Sequence, residues 1–158
     1  MASSNSKTDP KLLCRIRKEP VAALPEERVR QRILSKMIDE LGFPPSHISL
    51  EVPLKRMPHL QLQGREIPDR RADIVVFASG IHPKWDLYPL LLVECKAVPI
   101  TEKTRRQAAG YNHYIGACFV CLVNDEQLFT GRYDPREKEY QFLSFLPHYQ
   151  RLVDLLKS

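Results

Sequence analysis

The sequence has no apolar run long enough to cross a membrane. Its longest apolar stretches, residues 87–93 and 115–123, fall well short of the ~20 residues a spanning helix needs. The polar start MASSNSKTDPK lacks the apolar segment of a secretory signal. The expectation is a soluble, cytoplasmic chain with no membrane partner. Cysteine is scarce too. Cys14, Cys95, Cys118 and Cys121 make no disulfide framework, because a chain of this size can bury a sufficient core without staples. Cys118 and Cys121 have CxxC spacing, but they sit in an apolar run where strand alternation sends the two sulfurs to opposite faces, so they read as core fillers. The five histidines, His47, His59, His82, His113 and His148, lack ligand spacing, which argues against zinc. There is no internal repeat, and 158 residues leave no room for a second domain or a motor beside one core.

What is present is basic charge, unevenly placed. The chain carries a net +5, and residues 1–36 alone hold nine bases against four acids. Residues 55–71 add five bases and two acids. A polyanion is attracted to such segments, although a solvated surface looks the same by charge alone.

Residues 1–11 are too polar to order themselves and read as a tail, leaving 12–158 as a single domain. Pro25-Glu26-Glu27 opens a helix over about 26–41, with Val29, Ile33, Met37 and Leu41 at helical spacing and Gly42 and Pro44 as the stop. Ile48 to Leu54 alternates as a half-buried strand, with Pro53 marking an edge or an end. Residues 55–69 read as a loop. Two apolar runs, 72–78 and 88–97, flank a turn-rich connection and predict an antiparallel hairpin. Thr101 caps a predicted helix over 102–115, and 118–123 is another buried strand. Residues 128–133 and 140–145 close a second hairpin before a terminal helix. This order predicts an α/β sandwich around a mixed sheet.

Three charged residues stand inside the two most apolar strands: Asp73, Glu94 and Lys96. Burying such groups is costly unless they are paired or bind a metal. Glu94 and Lys96, two apart on a strand, share one face and Cys95 takes the other. With the turn centred near residues 83–84, partners sum to about 167, which sets Phe77 opposite Leu90, Val75 opposite Leu92 and Asp73 opposite Glu94. Two carboxylates and a lysine then share one patch, ~5 Å apart between opposed residues. A divalent cation relieves their repulsion: Mg²⁺ (or Mn²⁺) on Asp73, Glu94 and the backbone carbonyl of Cys95 is a chemically adequate site. Lys96 then stands beside the bound water, where it orients a nucleophile and offsets charge at a phosphoryl group. The plainer alternative is a buried Asp73–Lys96 or Glu94–Lys96 ion pair without catalysis.

An acidic residue on one strand, Glu-x-Lys on the next and an αβββαβ order together resemble the PD-(D/E)xK nuclease superfamily. More narrowly, the segments 25–31 (PEERVRQ), 71–77 (RADIVVF) and 90–97 (LLLVECKA), then Gln107-x-x-x-Tyr111-Asn112, resemble the N-terminal nuclease domain of the type I restriction enzyme R subunit. The likeness runs from about residue 15 to 149. It implies a restriction-endonuclease-like fold with a C-terminal hairpin and helix added, Asp73 and Glu94 as metal ligands, and Lys96 as the catalytic lysine. Gln107 and Tyr111 are implied as helpers, four apart on one helix face, with Gly110 letting that helix approach closely. Some members add a carboxylate from the first helix, and Glu26 is preferred here as lying on the inward stripe. The literal Pro-Asp pair is Pro68-Asp69, but Asp73 begins the apolar run and is chosen instead. Arg70, Arg71, Arg105 and Arg106 flank the site as candidate phosphate contacts, and His113 is near enough to be considered.

The expected function is a metal-dependent phosphodiesterase, a DNA endonuclease using Mg²⁺-activated water, whose partners are DNA and a separate helicase or other protein subunit. The alternatives are a catalytically inactive nuclease-like module that binds nucleic acid or serves assembly, and a scaffold with no nucleic-acid contact.

Overall fold

Pro25 supplies the fixed φ and the missing donor that suit a first helical turn, and helix α1 runs over Pro25–Asp39. It ends two residues earlier than the apolar spacing predicts, because the Glu40 and Leu41 amides both close onto the Lys36 carbonyl. The computed structural model describes residues 10–64 and 66–157. Most of the expected tail thus lies outside the described residues. Its last residue, Lys11, belongs to a strand instead: β1 (Lys11–Leu13) pairs antiparallel with β2 (Pro20–Ala22), ahead of α1. Arg15 in the connecting turn grips Asp39 of α1 through both guanidinium nitrogens, at 2.8 and 2.9 Å.

The main sheet follows. β3 (Ile48–Pro53), β4 (Arg71–Ser79), β5 (Leu87–Cys95), β6 (Phe119–Val123), β7 (Leu128–Asp134) and β8 (Glu139–Leu143) lie in that spatial order. Every neighbouring pair is antiparallel except β5 and β6. The one parallel step is crossed by helix α3 (Glu102–Ile115), as a parallel connection requires. Thr101 caps α3: its hydroxyl accepts from the Thr104 amide while the Thr104 hydroxyl accepts from the Thr101 amide. The expected αβββαβ core is therefore α1, β3, β4, β5, α3 and β6, extended by the β7–β8 hairpin and the terminal helix α4 (Tyr149–Lys157). β3 is an edge strand, as its proline predicts.

Apolar side chains fill both faces of this mixed sheet. Val29, Ile33, Leu34 and Met37 of α1 and Leu152 of α4 pack on Ile74, Val76, Val93 and Cys95. Ala108 and Ile115 of α3 pack on Val75, Leu92, Val120 and Leu122. The segment read as a loop after β3 is partly structured. A short helix α2 (Pro58–Gln61) follows a tight turn, and Leu54, Met57 and Leu60 are buried under the α3 layer. Polar neighbours had masked two apolar anchors there, Met57 and Leu60. Among the described residues, no helix is long and apolar enough to cross a membrane.

The β4–β5 register follows the sum of 167 at Ile74–Val93, Val75–Leu92 and Val76–Leu91, then slips, so that Phe77 faces Pro89 and not Leu90. Proline has no amide hydrogen for the ladder, and the extra residue forms a bulge. Leu90 and Leu91 consequently pack into the same core. Gly110 does not serve close approach, contrary to the expectation: a Cβ built there meets nothing within 4 Å. Gly110→Ala is therefore expected to stabilise the chain by about 0.5–1 kcal/mol through helix propensity alone. A shift of the urea midpoint to lower concentration would show a hidden contact.

Candidate active site

β4 and β5 part company at Asp73, and that fork is where the charged residues gather. The last ladder pair is Ile74–Val93, so the same register sets Asp73 opposite Glu94 just beyond it. The Cys95 amide finds its acceptor in a side chain: it donates to Asp73 Oδ2 at 2.9 Å. On the neighbouring edge strand, Glu51 adopts a left-handed φ of 48°, a strained choice for a residue with a Cβ. It is held there by Arg17, at 2.5 Å, and by Arg30.

Two adjoining cavities open at this end of the sheet. One, about 310 Å³, is lined by Glu94, Lys96, Arg70, Thr104, Gln107 and Tyr111. The other, about 460 Å³ and on the α1 side, is lined by Asp73 and Cys95 together with Glu26, Glu27, Arg30 and Glu51. The three predicted residues thus lie at one sheet end, with Glu94 and Lys96 in the lining of the first cavity and Asp73 in that of the second. The Glu94–Lys96 face follows from alternation along β5, as the sequence implied.

Glu94 is the electrostatic centre. It is 7% exposed, and its Oε1 is buried with no hydrogen-bond partner. Burial, reinforced by the like charge of Asp73, pushes its carboxyl up to about 7, with Lys96 and Arg70 partly opposing the rise. Lys96 makes no ion pair among the described residues. Its ammonium remains available to a ligand, and the structural ion pair considered as an alternative does not form within salt-bridge distance. Tyr111 is pushed up to about 12 by burial, which the nearby Arg70 opposes. Its hydroxyl therefore stays protonated at neutral pH, and it too is buried without a partner. Arg70 lies over the Tyr111 ring, its guanidinium carbon 3.7 Å from the ring centroid, within cation–π range. The Cys95 thiol is pushed far up by burial, which leaves it inert.

The residues fit a hard divalent cation. An unpartnered buried carboxylate oxygen beside a second carboxylate is a donor set for Mg²⁺ or Mn²⁺, which keeps several waters and needs only one or two carboxylates. Among the described residues, no three His, Cys, Asp or Glu side chains stand close enough to form a cage by themselves. The helix α1 carboxylates differ from the expectation. Glu26 is exposed, although it borders the α1-side cavity. Glu27 is the inward one, engaged by Arg30 and by the Gln31 amide at 2.8 Å. The inward stripe of α1 runs through Val29, Ile33 and Met37 as expected but is widened by the buried Arg30, Gln31 and Leu34, the side on which Glu27 lies.

Of the four flanking arginines, only Arg70 lines the site. Arg71 is exposed at the start of β4. Arg105 lies over Phe129 at 4.6 Å and Arg106 pairs with Glu102. Asp69 is exposed and borders neither cavity, in keeping with the choice of Asp73. Two participants carried little signal in the sequence. Arg30, 7% exposed, could have been flagged as a charge on an apolar helical stripe. Thr104, which lines the cavity, drew no attention in the sequence.

Residues 25–147 match the family described as type I restriction enzyme R protein N terminus. No curated protein and no solved structure matches the chain.

Proposed function

The chain belongs to the family of type I restriction enzyme R protein N-terminal domains, and from that premise we propose that it is a metal-dependent phosphodiesterase, an endonuclease acting on DNA. One observation carries the reading: a buried, unpartnered Glu94 oxygen beside Asp73, in a cavity that also holds an ammonium without an ion pair. Asp73, Glu94 and the Cys95 carbonyl would hold Mg²⁺ or Mn²⁺. Bound there, the cation supplies Lewis acidity toward a phosphoryl oxygen.

The remaining roles belong to the chain. Lys96 donates to the attacking water and offsets negative charge as it grows on the phosphoryl oxygens. Tyr111 and Gln107 offer neutral donors from α3 that orient the phosphodiester. Arg70, seated over the Tyr111 ring, is placed to grip a neighbouring phosphate with a planar fork. The proposed partners are DNA and another subunit of a restriction assembly, and the proposed place of action is the cytoplasm.

The test is incubation of the purified chain with supercoiled plasmid and with linear single-stranded DNA, with and without Mn²⁺, beside Glu94→Ala. Nicking that needs Mn²⁺ and vanishes in the variant is the expected outcome. Nicking that survives the substitution removes the site from the reaction.

A binding module without turnover is the second reading, favoured by the lack of a three-residue ligand cluster among the described residues. Calorimetry with Mn²⁺ separates the two, since the module predicts retained DNA affinity and no metal heat.

A further inference from the structure

Across α3 from the cavity, the outer hairpin presents aromatic rings where a buried sheet face would carry branched aliphatics. Phe129 and Tyr133 project from alternate positions of β7, and Tyr140 and Phe142 from β8. Tyr133 is directly opposite Tyr140, with centroids 5.8 Å apart, and Tyr140 stacks toward Phe142 at 6.3 Å and 28°. Between Phe129 and Tyr133 the strand has Gly131. The Phe142 ring lies over that bare backbone so closely that a Cβ would come within 2.6 Å of it. Alternate residues of a strand are ~7 Å apart, so Phe129, the ring over Gly131, and Tyr133 form three levels leading from the site end of the sheet to its far end.

Phe129, Tyr140 and Phe142 are half-buried against the α3-side core, so the face is open at its Tyr133 end, and basic groups outnumber acidic ones along it. Tyr133 is 40% exposed. Arg105 of α3 covers the Phe129 ring, and His113 stands 5.6 Å from Tyr133. The five face positions, 129, 131, 133, 140 and 142, hold no carboxylate, and Glu102 of α3 is taken by Arg106. At the far end a groove of about 840 Å³ is walled by Tyr133, Tyr140, Arg132 and Arg136. The one acid there, Asp134, accepts from the Arg136 amide.

We propose that this face is a stacking platform for a single-stranded segment of nucleic acid. The proposal rests on the reading of the chain as a protein that acts on DNA, and it names the strand form engaged away from the cleavage site. Ring faces spaced along a strand stack unpaired bases without regard to sequence, while adjacent guanidinium groups follow the phosphates. In a duplex the bases are already stacked on each other and offer the rings nothing.

Binding is measured by fluorescence anisotropy in EDTA, so that cleavage plays no part. The probes are a labelled 15-nucleotide oligothymidylate, an abasic strand of equal length and charge, and a 15-base-pair duplex. Oligothymidylate is expected to bind about tenfold more tightly than the abasic strand, and Tyr133→Ala to lose about tenfold toward oligothymidylate alone. Tyr133→Trp should retain affinity and show quenching on binding. Equal affinity for the basic and abasic strands, or no measurable binding of oligothymidylate at low salt, overturns the platform. So does unchanged binding by Tyr133→Ala. The abasic comparison needs no variant to fold. A chain that nicks plasmid but fails here keeps its nuclease reading and loses the platform, and one that binds but never cuts does the reverse.

Discussion

Lys96→Ala is expected to lower Mn²⁺-dependent nicking of supercoiled plasmid by about 10²–10³-fold, the usual cost of losing one donor aimed at developing charge, while leaving the urea midpoint nearly unchanged. The fold should tolerate the change because the Lys96 ammonium holds no ion pair among the described residues. What fixes the residue is its backbone, whose amide donates to the Val123 carbonyl at 2.8 Å. Two effects need separating, since the ammonium also draws the Glu94 carboxyl down toward its ionised form and so favours metal binding. Titrating Mn²⁺ does this: a rate that stays low at saturating metal places Lys96 in the transition state. Recovery of the wild-type rate at high metal would confine Lys96 to metal affinity, and wild-type nicking at all metal concentrations would remove it altogether. Lys96→Arg keeps the charge but replaces a compact ammonium with a planar fork, and little of the rate should return.

The second large effect is on stability and is set by Glu94. Its carboxyl rises from 4.5 to about 7 on folding, so the folded chain prefers it protonated. Below about pH 4.5 both states hold the proton and the burial of a charge costs nothing. Between about 4.5 and 7 the unfolded chain ionises first, and the fold loses stability as pH rises. Above about 7 the loss is complete, on the order of 3 kcal/mol. Glu94→Gln has no proton to release and should be more stable than wild type at pH 8 by about that amount in the absence of divalent metal, with the two alike near pH 4. Urea midpoints of both proteins across this range check it; a constant difference between them would mean that Glu94 is not strained by its surroundings. Adding Mn²⁺ at pH 8 should raise the wild type and leave Glu94→Gln unmoved, because a ligand stabilises only the state that binds it. On this expectation an ionised Glu94 costs the fold stability when no cation accompanies it, as pre-organised sites commonly do.

Local rules carried a large part of this molecule. The period of α1, the Thr101 cap of α3, the alternation that puts Glu94 and Lys96 on one face, and the register sum that sets Asp73 opposite Glu94 all depend on residues near in sequence or joined by a single turn. The errors lie where a second element decides. Glu26 and Glu27 are adjacent on α1, and which one turns inward depends on Arg30 and Glu51, the latter on a different element. Leu90 joined the same core as Leu91 because Pro89 broke the ladder opposite Phe77. Residues 55–60 looked like loop until α3 supplied a layer for Met57 and Leu60 to enter beside Leu54.

By itself, then, the amino-acid order determined the helices and strands of the αβββαβ core and the three charged residues at one sheet end, though not the β1–β2 pair or α2, since hydrophobic periodicity and strand alternation act over a few residues. Only the tertiary structure decided that Asp73 borders one cavity and Glu94 another, that a Glu94 oxygen is left without a partner, and that Arg70 rather than its neighbours reaches the site. Burial, desolvation and ion pairing arise between segments distant in sequence, and they exist only once those segments pack.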